Sequence, residues 1–215
     1  MKFSDLSSMA FMCVVMAGAH ALADGPIPLD RQTWKKSDDG NGHEYLVVLH
    51  EVTWSEAVLE AKKWDGWLAT LELDGENDFV FSLIEGILPI WRLGPNETSD
   101  LLGPWLGGFQ DPTGIEPGGG WFWLAEGNVG NPTPLVDTQP PWAPGEPNNY
   151  GGEEDRLVFW GEGGVRTPLW NDFPGTWLAP GYVVEVPEPG TLALLVSGAV
   201  ALLWRKGHRA GSGVA

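Results

Sequence analysis

The chain has 215 residues, which suits one globular domain of roughly 150 residues with appendages and excludes two full-sized domains. Hydrophobic residues make up 43% of it and there are 13 Trp, so the chain can bury a core and is not intrinsically disordered. The formal charge of −17 argues against nucleic acid as a partner and favours hard divalent cations such as calcium. The only cysteine, Cys13, lies in a segment that we expect to be removed, so neither disulfides nor a Cys-ligated zinc site is predicted.

The N-terminus has the pattern of a secretory signal peptide. Lys2 precedes an apolar stretch from Met9 to Ala19, and small residues then precede Asp24. We therefore predict a signal peptide over residues 1–23, followed by a lead-in over residues 24–40.

A strand followed by a helix opens the domain. Residues Glu44 to His50 favour a strand, and Thr53 and Glu56 then have the spacing of a capping box. An apolar stripe continues from Trp54 and predicts a helix to about Trp64. Gly66 stops this helix.

Asp74 is predicted to be the N-cap of a second helix. Its apolar face comprises Phe79, Val80, Leu83, Ile84 and Ile87. Short strand-like segments follow at Trp105 to Phe109, Trp121 to Leu124, Arg156 to Gly161 and Gly181 to Val186. The segment from Ala125 to Gly145 is polar and proline-rich, and a loop that long inside a compact domain is usually functional.

Oxygen-bearing side chains cluster just beyond this loop. They belong to Glu146, Asn148, Glu154, Asn171 and Asp172. Calcium takes about six to eight oxygen ligands in a forgiving geometry, so five side chains with a backbone carbonyl and outside hydroxyls could complete its shell. Magnesium fits less well because it demands stricter octahedral geometry.

Seven short motifs together resemble the C-type lectin-like domain. They are Trp54-Ser55-Glu56-Ala57, Gly66-Trp67-Leu68-Ala69-Thr70, Trp105-Leu106-Gly107-Gly108, Trp121-Phe122-Trp123, Gly145-Glu146-Pro147-Asn148-Asn149, Glu154-Asp155 and Trp170-Asn171-Asp172. The resemblance covers about residues 41–186. It implies an α+β fold in which two helices pack on short antiparallel sheets, with a long calcium-binding loop region and, in this chain, no disulfides.

The resemblance also implies roles for single residues. Glu146 and Asn148 would flank a cis proline, Pro147, and ligate calcium together with Glu154, Asn171 and Asp172. The same five residues would hydrogen-bond a sugar whose two vicinal hydroxyls complete the calcium shell. The Glu-Pro-Asn order implies mannose-type ligands, which include mannose, glucose, N-acetylglucosamine and fucose.

Some features depart from the resemblance or extend it. Arg156 stands where the family has a cysteine, so packing or the ion itself must hold the loop. The long loop leaves secondary ligands such as Asp137, Asn149 and Asp155 open. Tyr150 and Trp142 are candidates for a stacking face because of their place in the sequence. Trp105, Trp121, Trp123 and Trp170 are expected in the core.

The C-terminus contains a proline-flanked acidic motif, an apolar run and a basic end. The motif is Pro187-Glu188-Pro189, the run ends at Trp204, and Arg205 to Arg209 form the basic end. This order resembles the PEP-CTERM sorting tail of Gram-negative bacteria over residues 187–215, with a transmembrane segment at 191–204. It implies a sorting protease of the exosortase type, a membrane anchor before processing, and then the cell surface or an exopolysaccharide matrix. Without both tails the body has a formal charge of −19.

Two other classes of function remain to be weighed. Outside the tails the chain has no thiol, only two histidines and no serine in a nucleophile elbow, and no carboxylate pair stands out as that of a glycosidase. We therefore predict a binding protein rather than an enzyme. The alternative is a structural or adhesion module of the same fold that mediates protein interactions and is either stabilised by calcium or independent of it.

Overall fold

The computed structural model describes residues 25–94, 99–124, 132–135 and 140–188. The predicted signal peptide and the apolar segment 191–204 lie outside these ranges. Within them, no helix has the length and apolar character needed to cross a membrane.

The described residues form two α-helices and ten strands. The helices are α1 (Trp54–Ala61) and α2 (Glu76–Ile84). The strands are β1 (Ile27–Thr33), β2 (Glu44–Val52), β3 (Trp67–Leu68), β4 (Arg92–Leu93), β5 (Leu101–Gln110), β6 (Trp121–Trp123), β7 (Thr133–Pro134), β8 (Glu154–Glu162), β9 (Val165–Pro174) and β10 (Ala179–Val186).

The strands pair mainly antiparallel. β2 lies between β1 and β10, and β10 contacts β5 through one parallel pair, Tyr182 opposite Trp105. β5 then pairs with β6 and β8, and β8 forms a long hairpin with β9. This hairpin carries Glu154, Asn171 and Asp172. Strand β1 lies within the predicted lead-in, so part of that segment belongs to the sheet.

Helix α1 begins with the predicted capping box. The Glu56 backbone N–H donates to the Thr53 hydroxyl at 3.4 Å, and the Thr53 N–H donates to the Glu56 carboxylate at 2.9 Å. Ala57 and Ala61 are fully buried on its inner face. The α-helix ends at Ala61, and a 3-10 turn continues it to the predicted end at Trp64.

The predicted N-cap of α2, Asp74, is wrong. The N-cap is the next residue, Gly75, which has a φ of 82°. Because glycine has no side chain, no side-chain hydrogen bond caps this end of the helix. The Glu76 carboxylate accepts the backbone N–H groups of Glu72 and Leu73 at 2.7 and 2.9 Å. A carboxylate inside the helix therefore stabilises the turn before it. The predicted apolar face packs on the core.

Two clusters of buried apolar side chains form the core, one mainly under α2 and one mainly under α1. The four tryptophans expected in the core are at most 6% exposed; they are Trp105, Trp121, Trp123 and Trp170. The indole N–H of Trp105 donates to the Val52 carbonyl at 2.9 Å, and that of Trp170 to Asn77 Oδ1 at 2.8 Å. Burial therefore leaves neither of these two indole donors unpaired.

Candidate functional site

A cleft of about 300 Å³ opens where the loop before β8 meets the β8–β9 hairpin and the turn after β9. Its lining residues are Asp100, Glu146, Asn148, Tyr150, Gly151, Glu153, Glu154, Trp160, Asn171, Phe173, Pro174 and Trp177. Four of the five predicted ligand residues are among them. The fifth, Asp172, is fully buried beside the cleft and does not line it.

Backbone hydrogen bonds attach the loop to β9. The Ala143 N–H donates to the Trp170 carbonyl, and the Trp170 N–H donates to the Pro141 carbonyl, both at 2.8 Å. The peptide bond between Glu146 and Pro147 is cis, which is the form that the resemblance implies. These contacts place the Glu146 and Asn148 side chains in the same cleft as Asn171 of β9.

The buried Asp172 carboxylate holds the loop before β8 through two backbone hydrogen bonds. Its Oδ1 accepts the Asn148 N–H at 3.2 Å and its Oδ2 accepts the Asn149 N–H at 2.7 Å. Two charge-assisted bonds to consecutive backbone donors fix the loop at the point where Asn148 enters the cleft. Asp172 therefore has a structural role in this geometry besides the one predicted for it.

Glu154 is tied to the same loop. Its Oε2 accepts the Tyr150 N–H at 2.7 Å, and its own N–H donates to Asn149 Oδ1 at 3.1 Å. Asn149 adopts the left-handed conformation, with φ of 48°. Asn149, open in the sequence as a secondary ligand, thus uses its amide oxygen to hold the start of β8.

Two buried oxygens in the cleft have no hydrogen-bond partner. They are Glu146 Oε2 and Asn171 Oδ1. Asn171 as a whole is only 5% exposed. A buried acceptor without a partner costs about 1–3 kcal/mol, so folded proteins seldom keep one without a reason. Both atoms belong to residues that the sequence assigns to a cation.

Burial is the main cause that raises the pKa of the carboxylates in the cleft, and the charge of Asp172 adds to it for Glu146 and Glu154. Burial, and then the charge of Asp172, raise the pKa of Glu146 to about 8. Burial raises the pKa of Glu154 to about 7, against the hydrogen bond from Tyr150, and burial also raises the pKa of Asp172. Neither Lys nor Arg is among the residues that line the cleft. A bound cation would relieve this concentration of negative charge.

Acidic side chains alone do not make a metal site here. Within the described part of the chain, no group of three or more His, Cys, Asp or Glu side chains is placed so that it could hold a metal ion. The amide oxygens of Asn148 and Asn171 would have to contribute. Because one of them is an unpartnered buried acceptor and oxygen is the donor that calcium selects, the residues present fit a calcium ion.

The secondary candidates have other roles or lie elsewhere. Asp155 pairs with Arg156 at 2.9 Å, and Asp137 lies outside the described residues. Trp142 is half-buried and packs edge-to-face on Trp121 and Trp170, with centroids 5.0 and 5.9 Å apart. It does not line the cleft. Tyr150 does line the cleft.

Two tryptophans, Trp160 and Trp177, line the cleft although the sequence did not predict them there, and the buried Phe173 does so as well. Trp160 lies on β8, and Trp177 lies in the turn between β9 and β10. Neither has a motif that marks it. The one signal was their position, on either side of the Trp170-Asn171-Asp172 motif.

A protein-family model described as the PEP-CTERM protein-sorting motif matches residues 185–209. This match confirms the predicted sorting tail and indicates export with a C-terminal anchor of the Gram-negative type. The motif begins at the end of β10, where Glu188 pairs with Lys36 at 3.1 Å.

Solved structures similar to this chain include C-type carbohydrate-recognition domains and type II antifreeze proteins. Two structures of human lithostathine have TM-scores of 0.50 at 19% and 18% identity, over 75% of this chain and 100% and 91% of theirs. A cow C-type carbohydrate-recognition domain, that of CD23 with a GlcNAc2Man3 oligosaccharide, has a TM-score of 0.47 at 18% identity, over 68% of this chain and 88% of that one. The predicted C-type lectin-like fold is thereby confirmed; identities this low show the fold alone. Curated sequences give no significant match.

Proposed function

We propose that this protein is an exported, calcium-dependent carbohydrate-binding protein. The observation that carries the proposal is the pair of unpartnered buried oxygens, Glu146 Oε2 and Asn171 Oδ1, in a cleft that also holds Asn148 and Glu154. Calcium would be held by Glu146, Asn148, Glu154, Asn171 and Asp172. When bound, it supplies positive charge and open coordination positions for sugar hydroxyls.

The residues of the cleft would recognise a sugar through complementary hydrogen bonds. The carboxylates of Glu146 and Glu154 accept from sugar hydroxyls, while the amide groups of Asn148 and Asn171 donate to them. A vicinal pair of hydroxyls can thus both donate and accept. The Glu-Pro-Asn order supports mannose-type ligands, namely mannose, glucose, N-acetylglucosamine or fucose.

The sorting tail supports the proposal that the protein acts outside the cell. A protease of the exosortase type would process the chain after the tail has anchored it in the membrane. Release or retention then places the domain at the cell surface or in the exopolysaccharide matrix. Clustered display there would raise the avidity of a domain that binds single sugars weakly.

Calcium titration of the purified full chain by calorimetry tests the proposal. We expect saturable binding with a dissociation constant of about 10⁻⁴–10⁻³ M, as in extracellular modules. Glu146→Ala should abolish it. Glu162→Ala, which removes an exposed carboxylate at the far end of β8, should leave it unchanged. Absence of saturable calcium binding in the natural chain would overturn the proposal.

A second function is compatible with the same fold and is favoured, in its calcium-independent form, by the lack of three grouped His, Cys, Asp or Glu side chains in the described residues. This function is an adhesion or structural module that mediates protein interactions, either stabilised by calcium or independent of it. Direct sugar binding, measured with and without calcium, distinguishes the two functions. Methyl α-mannoside should bind only with calcium if the first proposal holds, and should not bind at all if the second does.

A further inference from the structure

The proposed calcium ligands leave the aromatic residues of the cleft unexplained. Tyr150, Trp160 and Trp177 line it together with Glu146 and Asn148. Oxygen ligands need no aromatic neighbours, whereas a sugar ring offers an apolar face of C–H groups that packs well on an aromatic ring.

Trp177 is held in place but left uncovered. Its backbone N–H donates to the Pro174 carbonyl at 3.0 Å, and this hydrogen bond closes the turn after β9. Its indole ring meets the buried Phe173 ring at 87°, with centroids 5.8 Å apart. The residue is nevertheless 47% exposed, whereas every other tryptophan in the described ranges is buried or half-buried.

Tyr150 has the same combination of a fixed backbone and an open ring. Its N–H donates to Glu154 Oε2 at 2.7 Å, yet the residue is 70% exposed. It lies two residues beyond Asn148. Two anchored, solvent-facing aromatic side chains therefore border the site at which the first sugar would bind.

The charge of the cleft restricts the ligand further. Asp100 and Glu153 line the cleft together with Glu146 and Glu154, and Asp172 is buried beside it, so one divalent ion does not neutralise the negative charge of the cleft completely. The body of the chain has a formal charge of −19. An oligosaccharide that contains uronic acids would be repelled.

We propose that the cleft binds a neutral oligosaccharide rather than a single sugar. One residue of the ligand occupies the Glu146 and Asn148 site, and the next packs its apolar face against Trp177, with Tyr150 beside it. This inference rests on the proposed function, because the first sugar is held through calcium.

The test compares three probes on the full chain with saturating calcium. They are methyl α-mannoside, mannotriose and an oligomannuronate of the same length. We expect mannotriose to bind about two- to tenfold more tightly than the monosaccharide, which is the range of an aromatic contact. The acidic probe should bind more weakly than mannotriose at low ionic strength.

Trp177→Ala should remove the advantage of mannotriose and leave the calcium affinity and monosaccharide affinity unchanged. Trp177→Phe should restore part of it. Leu178→Ala is the matched control, because Leu178 is the next residue, is 44% exposed and does not line the cleft. The unfolding midpoint of each variant in EDTA checks that it folds.

The outcomes separate the two proposals. Monosaccharide binding with no advantage for mannotriose, or an advantage that survives Trp177→Ala, would overturn this inference alone. Equal binding of the acidic oligomer would overturn the restriction to neutral ligands. Failure of the natural chain to bind calcium and any of the sugars would overturn the inference together with the function on which it rests.

Discussion

Glu146 is a carboxylate of the cleft whose pKa is raised both by burial and by the charge of a neighbouring carboxylate. Its raised pKa has two main causes, burial and the charge of Asp172, and a hydrogen bond between the two carboxyl groups requires a shared proton. We expect Glu146→Gln to keep or increase stability in EDTA, because a neutral amide can donate to Asp172 without repulsion. Calcium should stabilise the natural chain but not the variant.

Urea unfolding with EDTA and with calcium measures both effects. A calcium-dependent gain in the variant equal to that of the natural chain would show that Glu146 is not a ligand.

Asp172 should behave in the opposite way, because its oxygens accept two backbone N–H groups of the loop. Asp172→Asn leaves an amide NH₂ facing one of these donors. Stability in EDTA should therefore fall by about 1–3 kcal/mol, the cost of leaving a buried donor unsatisfied. Urea unfolding measures the fall, and an unchanged midpoint would contradict the role of Asp172 in holding the loop.

Arg156 stands where C-type lectin-like domains have a cysteine, and its packing contacts help to hold the chain there in place of a disulfide. Its guanidinium lies 4.5 Å from the centroid of the Trp54 ring and pairs with Asp155 at 2.9 Å. Arg156→Ala should lower stability by about 1–3 kcal/mol, through the lost cation–π contact and the lost packing of the alkyl chain. Arg31→Ala is the control, since its ion pair with Glu44 is exposed and should contribute less than about 1 kcal/mol.

Chemical denaturation of both variants decides the point. Equal losses in the two would mean that Arg156 does not replace the missing crosslink.

At the scale of the element, local signals predicted some boundaries and failed at others. Helix α1 was predictable because its capping box and apolar stripe lie within one segment. The start of α2 was not, since Gly75 and the buried Glu76 carboxylate replace the expected Asp74 cap. Strand β9 was missed because its residues do not alternate between polar and apolar, and its register comes from β8, where Val158 lies opposite Asn171.

The candidate ligands were found by motif, but the aromatic side of the cleft was not. Trp177 reaches the site only because β8, β9 and the turn after β9 converge there. No local pattern in the sequence encodes that convergence.

The pairing of β10 with β2 depends on one glycine. A Cβ at Gly181 would lie 2.2 Å from the Val48 carbonyl oxygen and 2.4 Å from Ile90 Cδ1. Gly181→Ala should therefore separate the two strands and cost about 1–3 kcal/mol or more, as overpacking does. Gly118→Ala is the control, because nothing lies within 4 Å of its Cβ position.

Thermal unfolding of the two glycine variants compares them directly. A Gly181→Ala protein as stable as the control would show that the strands can shift without loss.

For the whole molecule, buried carboxylates make stability depend on pH in a definite direction. Burial, followed by the charge of Glu185, raises the pKa of Glu76 to about 7. The hydrogen bond to Glu185 likewise raises the pKa of His43. Groups whose pKa is higher in the folded state contribute stability at low pH that is lost as the pH rises through the folded pKa.

We therefore expect the free energy of unfolding in EDTA to fall between pH 5 and pH 8. Glu146, with a pKa of about 8, and Glu154, with a pKa of about 7, act in the same direction as Glu76. Calcium should remove the part due to the cleft, because it stabilises the ionised carboxylates, and should leave the part due to Glu76, on the order of 1–3 kcal/mol. Glu76→Gln should remove the share of Glu76 from the remaining part and leave the share of His43.

Urea unfolding at pH 5, 6, 7 and 8, in EDTA and in about 10 mM calcium, separates the two contributions. A steeper fall in EDTA than in calcium would assign the difference to the cleft. A free energy of unfolding that rises with pH in EDTA would contradict the directions of the pKa shifts. Identical slopes with and without calcium would show that the carboxylates of the cleft do not bind the ion, whatever sugar the protein recognises.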